Sequence, residues 1–452
     1  MDTILSQNYA DAASVNPLVS RNRQRYEFLY DSFSGGETYR KGGYLTRYQL
    51  ETANEYNQRL ANTPYDNHPR SIISTYISFL FRTEPERVLT GLENDPALVA
   101  FLADADHEGR DLDSFMKQAA TWANVFGHSW IIMSKANIGA ITRADELAAG
   151  VRPYLNLLSP LLVTDFSWTR LESGRYELSY FKYIEDSNSS VSVVKEWTPE
   201  FIQTTTINHE KQEVKNKSIE INQLGVIPAV ILYNQTSTIR GLGISSIEDI
   251  ADASRMIYNL TSEVEQGIRL GSHPSLVTTA DTNVGSGAGA LIHMPQSMDP
   301  ALKPYVLEFS GQEVSSIYTA INNIVSSIDK MANTGSIRAN EAQVMSGVSR
   351  EVEFALLNSR LSEMADNIEL CEEQLWKLYA LYQNLTWSGT VEYPDSFAIH
   401  DTQNELDQLI KTYSTVEDPA VKTSIVEKIK GLLDLTADAT PQPNTAGDNL
   451  AV

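Results

Sequence analysis

Between residues 348 and 384 apolar side chains recur at helical spacing: Val352, Ala355, Leu356, Met364, Ile368, Cys371, Leu375, Leu378, Tyr379 and Tyr382. At about 1.5 Å of rise per residue such a helix is ~55 Å long and crosses a whole domain. The 452 residues permit about three domain-sized units. Two further stripes precede it. Ile247, Ile250, Ala251, Ser254, Ile257, Tyr258, Thr261, Val264 and Ile268 predict a rod from Ile244 to Ile268, ~37 Å long. Val314, Ile317, Tyr318, Ile321, Ile324, Val325 and Ile328 predict a second from Gly311 to Ala332, ~33 Å long. A glycine-rich excursion, Gly271 to Phe309, joins the far ends of the rods, with short strands at Ser275 to Thr279 and Ala290 to Met294 flanking Gly285 to Gly289.

Upstream, the pattern from Asn16 to Arg87 is helical and broken by turns. Tyr26, Leu29, Tyr30 and Phe33 share one face until Gly35 and Gly36 stop it; Tyr44 to Leu60 reads as a second helix, and Ser71 to Phe81 as a third. Leu112 to Val125 is another, closed at Gly127 by a left-handed cap. The period then changes. Ser129 to Ser134, Tyr154 to Ser159, Tyr176 to Ile184, Val191 to Trp197, Gln203 to Asn208 and Ala229 to Tyr233 are β-branched and aromatic runs separated by turn residues, the mark of antiparallel strands. The fold class is α+β, mainly helical. Asn333 to Gly347 lacks an apolar period and reads as a loop, and Asn404 to Tyr413 with Pro419 to Leu433 form a last helical pair.

The net charge of −23 prevents the chain as a whole from wrapping nucleic acid, which needs clustered Lys and Arg. One cysteine, Cys371, excludes an internal disulfide or a Cys-based zinc site, and its apolar neighbours make it a buried structural residue. The N-terminus lacks the charged flank and apolar core of a signal peptide, and no window approaches a membrane span, so the chain reads as soluble and unexported. Gly285 to Gly289 lacks the Lys-Ser or Lys-Thr of a phosphate loop and suits a tight hairpin instead. No two histidines lie three to five residues apart, so a local zinc pair is absent, and Ser346 to Ser349 lacks the strand and sharp turn of a nucleophile elbow. His107 to Asp111 reads as a solvated helix entrance. Glu351, Glu353, Glu363, Asp366, Glu369, Glu372 and Glu373 read mostly as the solvated face of the long helix. Arg21, Arg23, Arg25, Arg40, Lys41 and Arg47 form one positive island, read as a solvated helix or an intersubunit partner for the acidic excess in preference to a nucleic-acid site.

The order of parts is informative where single motifs are not. Tyr65 to Arg70 leads into Ile72 to Phe81; Gly241-Leu242-Gly243-Ile244-Ser245-Ser246 opens the first rod; Ser346-Gly347 opens the long helix. In this arrangement the chain resembles the portal proteins of tailed bacteriophages from about Tyr44 to Leu433. The resemblance implies a wing (1–240), a stem of two rods (241–270 and 310–332), a clip (271–309), a channel loop (333–347), a spine helix with wing return (348–400) and a small crown (401–437), while the composition of the tail (438–452) reads as disordered. It implies a ring, generally dodecameric, at a capsid vertex of the virion, assembled in the host cytoplasm, through which double-stranded DNA passes as cargo. Partners would be the terminase large subunit, then a head-to-tail adaptor, with the major capsid and scaffolding proteins; no catalytic residue, metal or cofactor is implied. Channel-loop candidates are Lys330, Asn333, Thr334, Ser336, Arg338, Asn340 and Gln343, and clip candidates are Asn283, Ser286, His293 and Gln296. The alternatives are another non-enzymatic virion assembly protein, or a hydrolase built on dispersed carboxylates or on His128 or His293.

Overall fold

The computed structural model describes residues 5–138, 143–272, 275–277, 283–284, 292–293, 305–307, 312–335, 347–394, 396–397, 409–414 and 419–432. The chain divides into two compact units, Met1–Phe397 and Ala398–Val452. The first opens with helices α1 (Tyr9–Ala13), α2 (Pro17–Ser34), α3 (Gly36–Lys41), α4 (Ala53–Asn62) and α5 (His68–Leu80). Asn8, Asn16, Thr52 and Asn67 each place a side-chain oxygen on a first-turn N–H, and Pro17 and Pro69 sit in first turns where a missing N–H costs nothing.

The helix expected over Tyr44 to Leu60 is shorter, because Thr52 and Glu55 form a capping box that starts α4 at Ala53. Residues 44–52 are instead irregular chain. Thr52→Ala removes the side-chain half of the box and is expected to cost about 1 kcal/mol, read as a lower denaturant midpoint.

Next come β1 (Glu86–Arg87), α6 (Leu98–Ala103), α7 (Leu112–Phe126), β2 (His128–Lys135), α8 (Arg143–Ala148) and β3 (Pro153–Leu158). Asp111 caps α7 through the Ser114 N–H, and Gly127 stops it at φ 91°. A meander comes next: β4 (Val163–Arg170), β5 (Tyr176–Ser187), β6 (Val191–Trp197), β7 (Phe201–Asn208) and β8 (Glu213–Ile221), then β9 (Ala229–Tyr233). The sheets are antiparallel, one of three strands ordered β3-β2-β9 and one of five ordered β4 to β8. Strands β4 and β8 lie outside the expected set. Two register shifts interrupt the β4–β5 pairing, one at Thr164 of β4 and one at Ser179 of β5, and β8 is an edge strand with no buried residue. Central β2 is buried on both faces: Ile131 and Met133 enter the main core, while Trp130 and Ile132 join a second core with Phe166 and Phe181.

The rods are α9 (Glu248–Ser272) and α10 (Gln312–Met331), with β10 (Ser275–Val277), β11 (Asn283–Val284), β12 (Ile292–His293) and β13 (Tyr305–Leu307) between them. Helix α9 starts later than expected because α7 holds the segment before it: Ser246 N–H and Ser245 Oγ bond the Asn124 and Val125 carbonyls. The spine is α11 (Gly347–Tyr382), and β14 (Val391–Glu392) pairs with β1. Two expectations for α11 are corrected. Val352 and Leu356 are 57% and 54% exposed, and the core-facing row there is Leu357, Leu361 and Ala365, one residue further round the helix. Glu372, expected in the solvated face with Glu363 and Asp366, is fully buried. The second unit holds helical residues 409–414 and α12 (Pro419–Leu432), with Lys422 Nζ 5.3 Å from the Tyr413 ring centroid. Residues 438–452 lie outside the described residues.

Candidate functional site

Two helices and the loop after them carry the features that matter most. Strands β10 and β13 pair Ser275 with Leu307, which ties the end of α9 to the start of α10, and the rods pack side by side. Helix α9 is anchored to the N-terminal helices. Arg25 bridges Glu248 and Asp252 at 2.7 and 2.8 Å, Arg59 donates to Ser262 Oγ, and the Tyr48 hydroxyl donates to Glu263. Helix α10 lacks comparable cover. Of its apolar stripe only Ile328 is buried; Val314, Ile317, Ile321, Ile324 and Val325 are half-buried, and Tyr318 is 49% exposed.

The expected loop leaves α10 through a built C-cap. Asn333 adopts φ 55°, its N–H bonds the Lys330 carbonyl, and the Thr334 N–H bonds the Asp329 carbonyl, a Schellman motif. Neighbouring helices take the remaining carbonyls: the Tyr76 hydroxyl donates to Ala332, and Arg360 Nη1 donates to Met331 at 3.3 Å. Arg360 also stands 5.0 Å from the Tyr76 ring centroid and sets a cation against the negative end of α10. A Cβ on Gly335 would lie 2.9 Å from Glu353 Oε2, so the chain passes close over α11 there. Of the channel candidates, Lys330 is exposed on the last turn of α10 and Asn333 forms the cap. Thr334 is fully buried, so its side chain is no surface group of this chain. Ser336, Arg338, Asn340 and Gln343 lie outside the described residues, as do Ser286 and Gln296. Asn283 and His293 are directly opposed partners in the β11–β12 ladder. Residues 285–289 lie outside the described residues, and Ser275–Val277 pairs with Tyr305–Leu307 rather than with β12.

The Gly241-Leu242-Gly243 run marks a backbone crossing. A Cβ on Gly243 would lie 1.9 Å from the Gly127 carbonyl oxygen, and one on Gly127 would lie 2.5 Å from that of Gly243. His128 sits in the same crossing, buried, with Nδ1 accepting the Gly243 N–H at 3.3 Å. Burial pushes its pKa down to about 3. An unfolded imidazole titrates near about 6.5, so between those values the unfolded chain holds one more proton and stability falls as pH falls. His128→Gln keeps an acceptor and cannot titrate. From pH 7.5 to pH 5 it is expected to lose about 2 kcal/mol less than the parent, read from denaturant midpoints.

The positive island is dispersed: Arg23 pairs with Glu27, Lys41 with Glu37 and Arg25 with α9, while Arg47 binds the Glu51 carbonyl. Among the described residues no group of three or more His, Cys, Asp or Glu is arranged to hold a metal. No helix there is long and apolar enough to cross a membrane. Cys371 is buried, and burial pushes its thiol pKa up. Sequence reasoning passed over two features. One is the buried cluster of Arg87, Glu372, Trp376 and Tyr393; the other is a cavity of about 440 Å³ beneath Tyr30 and Trp122. Each joins residues remote in sequence, so no local pattern signals either.

No family model matches this chain, and no curated protein matches it. Among solved structures, a chain in the neck of an empty gene transfer agent particle, solved with C6 symmetry, is 8% identical over 87% of this chain and 98% of its own, with a TM-score of 0.46. A chain in the virion of the native particle is 10% identical over 88% of this chain and 98% of its own, with a TM-score of 0.45. A third, in the native neck with C12 symmetry, is 9% identical over 79% and 88%, with a TM-score of 0.43.

Proposed function

We propose that this chain is a portal subunit, a non-enzymatic virion protein that forms a ring around a DNA channel, docks terminase and later a tail adaptor. The observation that carries this reading is the paired rods: α10 keeps an apolar stripe half-covered along its length, which a single chain has no reason to leave in water. Neighbouring copies around a ring would cover it through heterologous contacts that close by rotation. The capped end of α10 gives the channel loop a firm base on three helices. The charge of −23 per chain suits a wall past which a duplex slides without sticking.

Negative-stain electron microscopy of the purified protein tests the reading. Rings with a central hole are expected; monomers or sheets at all concentrations would overturn it. In assembling particles, Arg338→Ala is expected to leave rings intact while lowering packaged or retained DNA, measured as nuclease-protected genome per particle.

A further inference from the structure

The turn at residues 47–51 holds an apolar residue out into water on a rigid mount. Leu50 is 97% exposed. Beneath it Arg59, 1% exposed, donates to both carboxylate oxygens of Glu51 at 2.8 Å and to the Thr46 carbonyl at 2.6 Å, with its guanidinium 4.0 Å from the Tyr48 ring centroid. Arg47 closes the turn on the Glu51 carbonyl at 2.8 Å. A leucine fixed this way gains nothing within its own chain and is preorganised to enter something else.

The same molecule has a matching recess. The cavity of about 440 Å³ is floored by buried Phe115 and Phe126 and walled by Tyr30 and Trp122, stacked 5.7 Å apart. Its edge carries Asp106, Glu108 and Arg110; Arg110 is bonded to both acids, so the edge is net negative by one charge. Within the turn Arg47 and Arg59 share one carboxylate, Glu51, so the mount of Leu50 is net positive by one charge, opposite in sign to that edge.

Helix α2 meets the surroundings of the two features through different faces. Phe28 packs edge-on to Tyr44, just before the turn, whereas Tyr30 stacks on Trp122 over the cavity. Two residues are ~200° apart around a helix. Tyr44 and Trp122 therefore meet different faces of α2, and the turn and the recess are two distinct surfaces of the chain, the pairing a head-to-tail contact uses.

We propose that Leu50 and its turn insert into the Tyr30–Trp122 cavity of the next copy of this chain. The inference rests on the ring-forming reading above and names one of its contacts. Leu50→Cys and Ser159→Cys, the latter at the cavity lining, place one thiol on each side, and Cys371, 1% exposed, stays out of reach of reagent. With a short bis-maleimide, the double variant is expected to give a ladder of covalent multimers on a denaturing gel. Each single variant should give one band, and an equal mixture of the two a dimer. Leu50→Asp should raise the concentration needed for ring assembly by about tenfold, with an unchanged circular dichroism spectrum. Rings without a ladder, assembled equally well by Leu50→Asp, would overturn this contact and leave the ring reading standing. Parent protein without rings at any concentration would remove both.

Discussion

Glu372→Ala is expected to cost about 3–5 kcal/mol, enough to consume a large part of the stability of an ordinary domain. Glu372 is fully buried in the C-terminal third of α11, and both its oxygens are in use. Oε1 accepts from Arg87 Nε at 2.5 Å and Trp376 Nε1 at 3.1 Å; Oε2 accepts from the Tyr393 hydroxyl at 2.9 Å and Arg87 Nη2 at 3.2 Å. Burial opposes the Arg87 charge, but Glu372 and Asp113 outweigh it and push the guanidinium pKa up; burial and Glu372 push the Tyr393 phenol up. Removing the carboxylate leaves the half-buried Arg87 guanidinium with Asp113 as its one remaining counter-ion in this cluster and strands the Trp376 and Tyr393 donors. The double variant Arg87→Met with Glu372→Leu should recover only part of the loss: it removes the cation, while the Trp376 N–H and the Tyr393 hydroxyl stay without their acceptor. Denaturant midpoints of both variants measure this. A Glu372→Ala protein within about 0.5 kcal/mol of the parent would contradict it.

The second large effect is expected at Gly243. A methyl group there would lie 1.9 Å from the Gly127 carbonyl oxygen and 2.6 Å from its carbon. Both are backbone atoms, so no side chain can rotate out of the way. Gly127 cannot yield by taking a side chain of its own, since it sits at φ 91° with the Gly243 oxygen 2.5 Å from its would-be Cβ. Gly243→Ala is therefore expected to cost more than about 4 kcal/mol or to leave the chain insoluble. Gly225→Ala is the control: at φ 70° with nothing within 4 Å, it carries only the backbone penalty, about 1–2 kcal/mol. Soluble yield and circular dichroism of the two variants distinguish a packing clash from a general intolerance of alanine.

The helices were legible because their information is local. Stripes of apolar residues at period 3.6 locate α9, α10 and α11 within a few residues of their ends, and Gly127 announces its cap by its place after Phe126. What escaped depends on partners. Strand β4 hides behind the register shift at Thr164, and β8 has no buried face to imprint a pattern. Glu372 looked like its solvated neighbours because nothing near it in sequence signals Arg87. Val352 and Leu356 looked like core because they continue a stripe, yet the core had already turned to Leu357 and Leu361. The candidate loop was legible only at its root. Asn333 is a residue type suited to positive φ, but burial of Thr334 comes from packing that no local pattern encodes.

The pairing of Arg87 with Glu372 also sets a clock on biosynthesis. The two residues lie 285 positions apart, and β1 has no partner until β14 exists. At roughly 5–20 residues per second a ribosome needs ~15–60 s to travel between them. Throughout that interval the faces of α5 and α7 that bury the spine have nothing to cover them, so chaperone occupancy on nascent chains should persist until residues near 393 emerge. A chain broken off earlier keeps its core open, and proteolysis should remove it before it meets another copy.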